Sequence, residues 1–309
     1  MAKIVTITFS PCIDKSTSVS SLIPEKKLTC AIPKLEPGGG GINVARAIKK
    51  LGGEATAIYP AGGYTGKYLI ELMKKEEVSS CYIETVNETR ENIIIVEDSS
   101  NNQYRFGMPA TILKEQEWKK ILQVLDEMND VEFIVASGSL PSGIPVNIFA
   151  MIAEIAITKK AKLIVDTSGE ALKDAVDKSV FLIKPNLGEL SFLVGKEYLN
   201  PGEISLAAKQ IIEKGKCEAV VVSMGAEGAL LVTKNIERKI GPPIVQRKST
   251  VGAGDSMVAG IVFSLQKGES LENAVAFGVA CGTAATMNTG TELCNPEDVK
   301  KIYPLLSIS

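Results

Sequence analysis

From residue 133 onward the chain repeats one unit, and that repetition limits the folds open to it more than any other feature. Short apolar runs at Phe133–Ala136, Leu163–Val165, Phe181–Ile183 and Ala219–Val222 alternate with helix-period segments at Asn147–Lys160, Glu170–Val176 and Glu203–Lys214. A strand that is apolar at every position has both faces buried, and strands joined through helices run parallel. The expected fold class is α/β, a mainly parallel sheet covered by helices on both faces. Polar residues fall at the strand ends: Ser137 to Ser139, Asp166, Lys184 to Asn186, and Ser223 to Gly225. Ligands of open α/β sheets bind outside the carboxyl ends of the strands, so these loops should share one edge.

The amino-terminal half keeps this rhythm with interruptions. Strand-like Ile4–Phe9 runs into Pro11–Asp14, and Ala55–Ala61 leads through Gly62 and Gly63 into a helix ending at Lys75. Between them Glu36 and Pro37 precede four glycines, Gly38 to Gly41, then Asn43 and a helix from Val44 to Leu51. A glycine run at a helix start can wrap a polar ligand closely, and Asn43 offers both a donor and an acceptor. Segments near 14–35 and 85–108 have short-strand character, broken by Pro24, Pro33 and a polar turn at Asp98–Asn102. They read as excursions from a single domain spanning residues 1–309, together forming a small β-sheet lid. Their Lys27, Arg90 and Arg105 would suit an oxyanion through multiple donors. The runs Ala229–Thr233 and Lys239–Ile244 then lead through Pro242 and Pro243 into the last third.

There, Lys248–Val258 holds the densest chemistry. Gly252-Ala253-Gly254 is followed at once by Asp255 and by Met257, Val258, Ile261, Val262 and Leu265 at helical spacing. A loop feeding a helix start leaves backbone N–H groups and the positive dipole end free for an anion. Asp255 beside it could take a proton from a nucleophile aimed at a phosphate. An ordinary helix cap has the same look, so the neighbours decide. The absence of histidine is the sharpest of them. It excludes Ser-His-Asp and Cys-His catalysis and histidine-ligated metals, and it moves carboxylates up the list of bases. The helix ends at Lys267 and Gly268, Ser270 caps another through Ala285, and residues 288–292 form a loop.

Other classes are disfavoured. Net charge is −2, so no basic surface points to nucleic acid or membrane. Six cysteines lie scattered without a Cys-x-x-Cys pair, which suits reduced thiols in the cytoplasm. No apolar run nears the roughly 18 residues of a membrane helix. Gly66-Lys67 fails as a P-loop, because Ala61 stands at its first glycine and Tyr68 at its Ser/Thr; both dinucleotide glycine fingerprints also fail.

Gly38–Arg46 and Ser249–Ser256 resemble the two signatures of the ribokinase family of sugar kinases, and Lys184–Glu189 and Ser137–Pro141 are similar to further motifs of that family. The resemblance spans essentially the whole chain in order. Within the family it is most similar to the minor-type bacterial 6-phosphofructokinases. It implies ATP-dependent phosphorylation of fructose 6-phosphate at its C1 hydroxyl, a glycolytic step, with Asp255 as base and the Gly252, Ala253 and Gly254 amides as anion hole. It implies that Asp14, Gly39, Gly40, Asn43 and Ser139 contact the sugar and that Arg90, Arg105 and Lys27 hold its phosphate. Lys184, Asn186, Ser223, Gly225, Gly228 and Thr250 would line the ATP site. Asp166 and Glu189 would help place Mg²⁺ through water, and Ser249, Val251, Ala285, Asn288 and Gly290 would hold K⁺. The lid would also join two copies in a homodimer. Relatives that act on tagatose 6-phosphate or fructose 1-phosphate carry a Lys where this chain has Gly40, which favours fructose 6-phosphate over those alternatives. Glu292 stands where the nearest relatives have Arg, and Lys27 where they bind a second, inhibitory ATP. A non-catalytic sugar-phosphate or nucleotide sensor on the same fold is the remaining alternative.

Overall fold

Apolar residues at every strand position require partners on both sides, and the cores divide along that line. The computed structural model describes residues 3–215 and 217–309. Its first half runs β1 (Ile4–Ile7), β2 (Cys12–Val19), β3 (Lys34–Gly38), α1 (Gly40–Lys50), β4 (Thr56–Gly62), α2 (Gly63–Lys75), β5 (Ser79–Thr85), β6 (Arg90–Glu97), β7 (Asn102–Phe106) and α3 (Glu115–Glu127). Then come β8 (Phe133–Ser137), α4 (Ile148–Lys159), β9 (Lys162–Asp166), α5 (Gly169–Val176), β10 (Val180–Ile183), α6 (Leu187–Leu193), α7 (Ile204–Lys214) and β11 (Cys217–Ser223). The chain closes with β12 (Ala229–Thr233), β13 (Glu237–Gly241), α8 (Ala253–Gln266), α9 (Leu271–Thr286), α10 (Pro296–Ile302) and β14 (Ser307–Ile308).

A ten-stranded sheet has the order β14-β13-β12-β11-β10-β9-β8-β1-β4-β5. From β5 across to β11 all neighbours are parallel, and β12 to β14 add an antiparallel edge. Alternate residues of one strand enter different cores: Ala219 and Val221 pack with α8 and α9, whereas Val220 and Val222 pack with α4 and α7 residues on the other face. The period-2 pleat thus explains the unbroken apolar runs. Strand order reverses around β1, which has β8 on one side and β4 on the other, and this is where an open α/β sheet leaves a crevice.

A separate four-stranded sheet, β3-β2-β6-β7, is made by the two interruptions. Register assigns its faces. Asp14 pairs with Asn92, Ser16 with Ile94 and Ile94 with Arg105, so these side chains share one face. Lys15, Ile93 and Phe106 share the opposite face with Thr17, Ile95 and Tyr104.

Three boundaries and one helix depart from the sequence reading. Helix α1 starts at Gly40, not Val44, because Gly39 takes the non-helical turn at φ 115° and leaves Gly40 and Gly41 helical. Residues 20–33 contain no strand; the strands of that excursion lie at its two ends. Strand β13 stops at Gly241, since Pro242 and Pro243 lack the N–H needed to continue a ladder. Helix α3 was not anticipated, although Trp118, Ile121 and Leu125 have helical spacing and are buried.

Candidate active site

One glycine turn lies on the carboxyl ends of β1 and β8, and a second lies beside Lys184 at the end of β10. In the first, a β-carbon on Gly40 would lie 2.3 Å from Ser137 Oγ and 2.7 Å from the Gly138 nitrogen, and one on Gly41 would lie 2.5 Å from the Ile7 carbonyl oxygen. No side chain fits at either position, so the first turn of α1 lies directly on the sheet edge. In the second, Gly252 adopts φ 74° and α8 begins at Ala253. Each helix start presents amide hydrogens without intrahelical acceptors, and a positive dipole end.

The turns are joined through their side chains. Asn43 Nδ2 donates to Asp255 Oδ2 at 2.9 Å. Asp255 is half-buried in the first turn of α8, and its carboxyl is pushed up to about 6, first by burial and then by the nearby negative charge of Asp166. The Asn43 hydrogen bond and Lys184 act in the opposite sense. A base with this value is ionised at neutral pH yet still takes a proton readily. Lys184 is buried, with Nζ 3.1 Å from Asp166 Oδ1. Burial opposes its charge, but Asp166, Asp255 and Glu189 outweigh that and hold it above the ordinary lysine value. A β-carbon on Gly254 would lie 3.4 Å from the same Nζ, which sets the ammonium beside the second turn.

On the acceptor side, Asp14 is buried on β2, where its Oδ1 accepts from Asn92 Nδ2 at 3.0 Å and from the Cys12 thiol at 3.3 Å. Asn92 escaped the sequence reading; its one signal is a polar residue at the start of an apolar strand run. Arg90 donates to the carbonyls of Met108 (2.7 Å) and Ser10 (3.3 Å), and its Nε is buried without a partner. Arg105 crosses from β7 to bond Thr250 Oγ1 at 2.9 Å, with Arg247, Lys248 and Ser249 around the same cavity of about 550 Å³. Ser139 is exposed in the loop after β8. Lys27 is exposed between β2 and β3, and no hydrogen bond or ion pair among the described residues brings it to this cluster.

Further along the edge, Asn186 caps α6 by accepting from the Glu189 amide (2.9 Å), while Glu189 Oε2 accepts from the Asn186 amide (2.8 Å). Asn186 also bridges Ser223, bringing the ends of β10 and β11 together. The turn that follows needs glycine twice: Gly225 has φ 61°, and at Gly228, φ 85°, a β-carbon would lie 2.0 Å from the Ile240 carbonyl oxygen. Burial, and after it the negative charge of Asp166, raise the Glu189 carboxyl above its ordinary value. Among the described residues there is no group of three or more Cys, Asp and Glu side chains able to hold a metal outright. A pair of carboxylates suits an ion such as Mg²⁺ that keeps most of its water.

Behind the second turn, Ser249 Oγ donates to the Gly290 carbonyl at 2.8 Å and accepts from the Val251 amide at 3.2 Å. Asn288 bonds the Leu293 carbonyl through its side chain (2.9 Å) and the Ala285 carbonyl through its amide (3.2 Å). The five residues expected to hold a monovalent cation are therefore neighbours, in a loop rich in carbonyl oxygens. Glu292 in this loop meets Lys34 of β3 at 2.6 Å.

A recessed carboxylate between two amide-rich helix starts, with a lysine and paired carboxylates alongside, is the equipment of phosphoryl transfer to a hydroxyl. The class is that of a small-molecule kinase. Residues 5–298 match the pfkB family carbohydrate kinase profile, and the chain belongs to that family of ATP-dependent phosphotransferases. It is 44% identical over 308 residues to ATP-dependent 6-phosphofructokinase isozyme 2 of Escherichia coli K12, covering 99% of this chain and 100% of that one. It superposes on the E. coli phosphofructokinase-2 crystal structure with potassium at a TM-score of 0.94 and 44% identity, covering 99% of each chain. The E. coli enzyme with substrates and products gives 0.93 and 44% over 98% of each chain, and its tetrameric inhibited form gives 0.93 and 43% over 99% of each. No helix among the described residues is long and apolar enough to cross a membrane.

Proposed function

We propose that this kinase transfers the γ-phosphoryl group of ATP to the C1 hydroxyl of fructose 6-phosphate, giving fructose 1,6-bisphosphate and ADP in the cytoplasm. The Asn43–Asp255 hydrogen bond carries the reading, because it sets the base where both glycine turns can face one substrate. The new bond joins the C1 oxygen to the γ-phosphorus as the β,γ-bridging oxygen leaves with ADP, and the hydroxyl proton passes to Asp255. The Gly252, Ala253 and Gly254 amides and Lys184 would meet charge growing on the phosphoryl oxygens. Asp14, Gly39, Gly40, Asn43 and Ser139 would orient the sugar, and Arg90 and Arg105 would hold its phosphate. Asn186, Ser223, Gly225, Gly228 and Thr250 would line the nucleotide. Asp166 and Glu189 would hold Mg²⁺ through its water, an ion that neutralises phosphate charge. The carbonyls near Ser249, Val251, Ala285, Asn288 and Gly290 would hold K⁺. Gly40 supports the choice of sugar, since it stands where the resemblance places a Lys in kinases of tagatose 6-phosphate and fructose 1-phosphate.

The four-stranded sheet would act as a lid and as the contact between two copies in a homodimer. Arg105 lies on the face that reaches Thr250, whereas Tyr104 and Phe106 on the opposite face are exposed, an apolar pair suited to burial against a second copy. Lys27 would complete the phosphate clamp in that assembly. A coupled ADP assay with fructose 6-phosphate, tagatose 6-phosphate and fructose 1-phosphate tests the reading. Turnover of either alternative acceptor without fructose 6-phosphate reassigns the enzyme within its family, and ATP binding without transfer to any acceptor supports a sensor. Light scattering at micromolar concentration reads the dimer.

A further inference from the structure

We propose that Arg46 is a positioning residue for the base: it fixes the side-chain amide of Asn43 so that the nitrogen, not the oxygen, faces Asp255. This rests on the base role given to Asp255 above. A primary amide is a donor at one end and an acceptor at the other, and the two ends have nearly the same shape. Turned over, Asn43 would offer an oxygen to a carboxylate and repel it. What prevents this lies one turn along α1. Arg46 Nη1 donates to Asn43 Oδ1 at 3.3 Å, and a guanidinium has donors only, so it accepts one orientation of the amide.

Arg46 is itself held from three sides. It is 2% exposed, with Nε and Nη2 on the two oxygens of Glu76 at 2.7 and 2.6 Å. Nη1 also donates to the Pro37 carbonyl at 2.7 Å, and Nη2 lies 3.3 Å from Glu36 Oε1. Glu36 is fixed in turn by Thr291 Oγ1 at 2.6 Å. The guanidinium therefore ties α1 to the segment following α2, to β3 and to the loop behind Asp255, and passes that rigidity to one amide. Asp166, Lys184 and Asp14 also act on Asp255, from the ends of β9 and β10 and from β2, but through charge rather than through this hydrogen bond; the neutral Cys12 thiol beside Asp14 carries no charge to add. A buried ion pair that served stability alone would not need its third donor aimed at the residue that holds the base.

A double-mutant cycle separates the two roles. The background is Arg46→Met with Glu76→Met, which removes both members of the closest buried pair, while Glu36 keeps Lys34 at 3.4 Å and Thr291 as partners. With the acceptor that wild type turns over, kcat in this variant should fall about 10- to 100-fold, the scale of one hydrogen bond to a charged group, with KM for ATP within about threefold of wild type. Asn43→Leu should lose a similar factor, and the two combined should lose no more than Asn43→Leu alone. Losses that multiply, or wild-type kcat in the Arg46→Met/Glu76→Met protein, overturn the proposal. A readout independent of any acceptor is the Asn43 side-chain amide signal in ¹⁵N-asparagine-labelled protein, assigned with Asn43→Ser. It should shift when Arg46 is replaced, so an enzyme inactive on every sugar would sink the kinase reading while leaving this test intact. Should the Met variants fail to fold, Arg46→Lys serves, because an ammonium lacks the planar fork needed to hold Glu76 and Asn43 together. Unchanged kcat and an unchanged Asn43 signal in that variant would refute the role.

Discussion

Replacing Asp255 by Asn should make the protein more stable while disabling it. The Asp255 carboxyl is raised from 3.8 to about 6, and burial is the largest cause. At 1.36 kcal/mol per unit, keeping it ionised costs the native state about 3 kcal/mol relative to the unfolded chain. Between about pH 4 and pH 6 the folded protein retains a proton that the unfolded chain has released. Stability therefore falls as pH rises across that window, and the full cost is present above it. Asparagine removes the charge while keeping an oxygen to accept from Asn43 Nδ2. In ligand-free protein at pH 8, Asp255→Asn should gain about 2 to 3 kcal/mol, read from the midpoint of urea unfolding followed by circular dichroism. The gain should shrink toward zero near pH 4. Equal or lower stability at pH 8, or the same gain at pH 5 and pH 8, would refute the argument that the site holds its base at a cost. In the same variant kcat should drop by at least about 100-fold with ATP still bound, and near-normal turnover would remove Asp255 from the role of base.

Three further outcomes follow from the geometry. The acid limb of kcat/KM should have its midpoint near the Asp255 value of about 6, with activity rising as pH increases through it; a flat profile from pH 5 to 8 would contradict this. Gly40→Ala puts a β-carbon 2.3 Å from Ser137 Oγ and should cost about 1–3 kcal/mol of stability or raise KM for the sugar phosphate, both measurable on one preparation. Arg105→Ala breaks an exposed bond to Thr250 and should change stability by under about 1 kcal/mol, yet raise KM for the sugar phosphate about tenfold or more; an unchanged KM would exclude Arg105 from the phosphate clamp.

The parallel sheet was legible because burial on both faces leaves few polar residues inside its central strands, with Thr6 of β1 a buried exception. Runs such as Ala219–Val222 and Phe133–Ala136 announce this without ambiguity. Asp255 was legible for a local reason: glycines, an acid and a helix start within four residues. Asn92 and Arg46 were not, because their importance comes from partners far along the chain, Asp14 at a separation of 78 residues and Glu76 at 30. A polar residue at the start of a strand or a cation on a helix looks like surface until the fold supplies those partners. The start of α1 misled in another way. Gly40 and Gly41 are poor helix formers, and only their contact with β1 and β8 makes the helical conformation worthwhile.

That contact also underlies the base role proposed for Asp255 in a chain without histidine. Helices α1 and α8 begin at glycine turns whose first residues converge, so two positive dipole ends and two sets of free amides face one small volume. A carboxylate placed there would be over-stabilised as an anion and too weak a base. Burial and the negative charges of Asp166 and Asp14 oppose this, raising Asp255 from 3.8 to about 6. Lys184, paired with Asp166 at 3.1 Å, limits how far that offset goes. The useful basicity of Asp255 is thus a balance between burial and neighbouring carboxylates, which raise it, and the Asn43 hydrogen bond and Lys184, which lower it. Opening the Asn43 hydrogen bond should raise the Asp255 carboxyl further, and removing Asp166 should lower it.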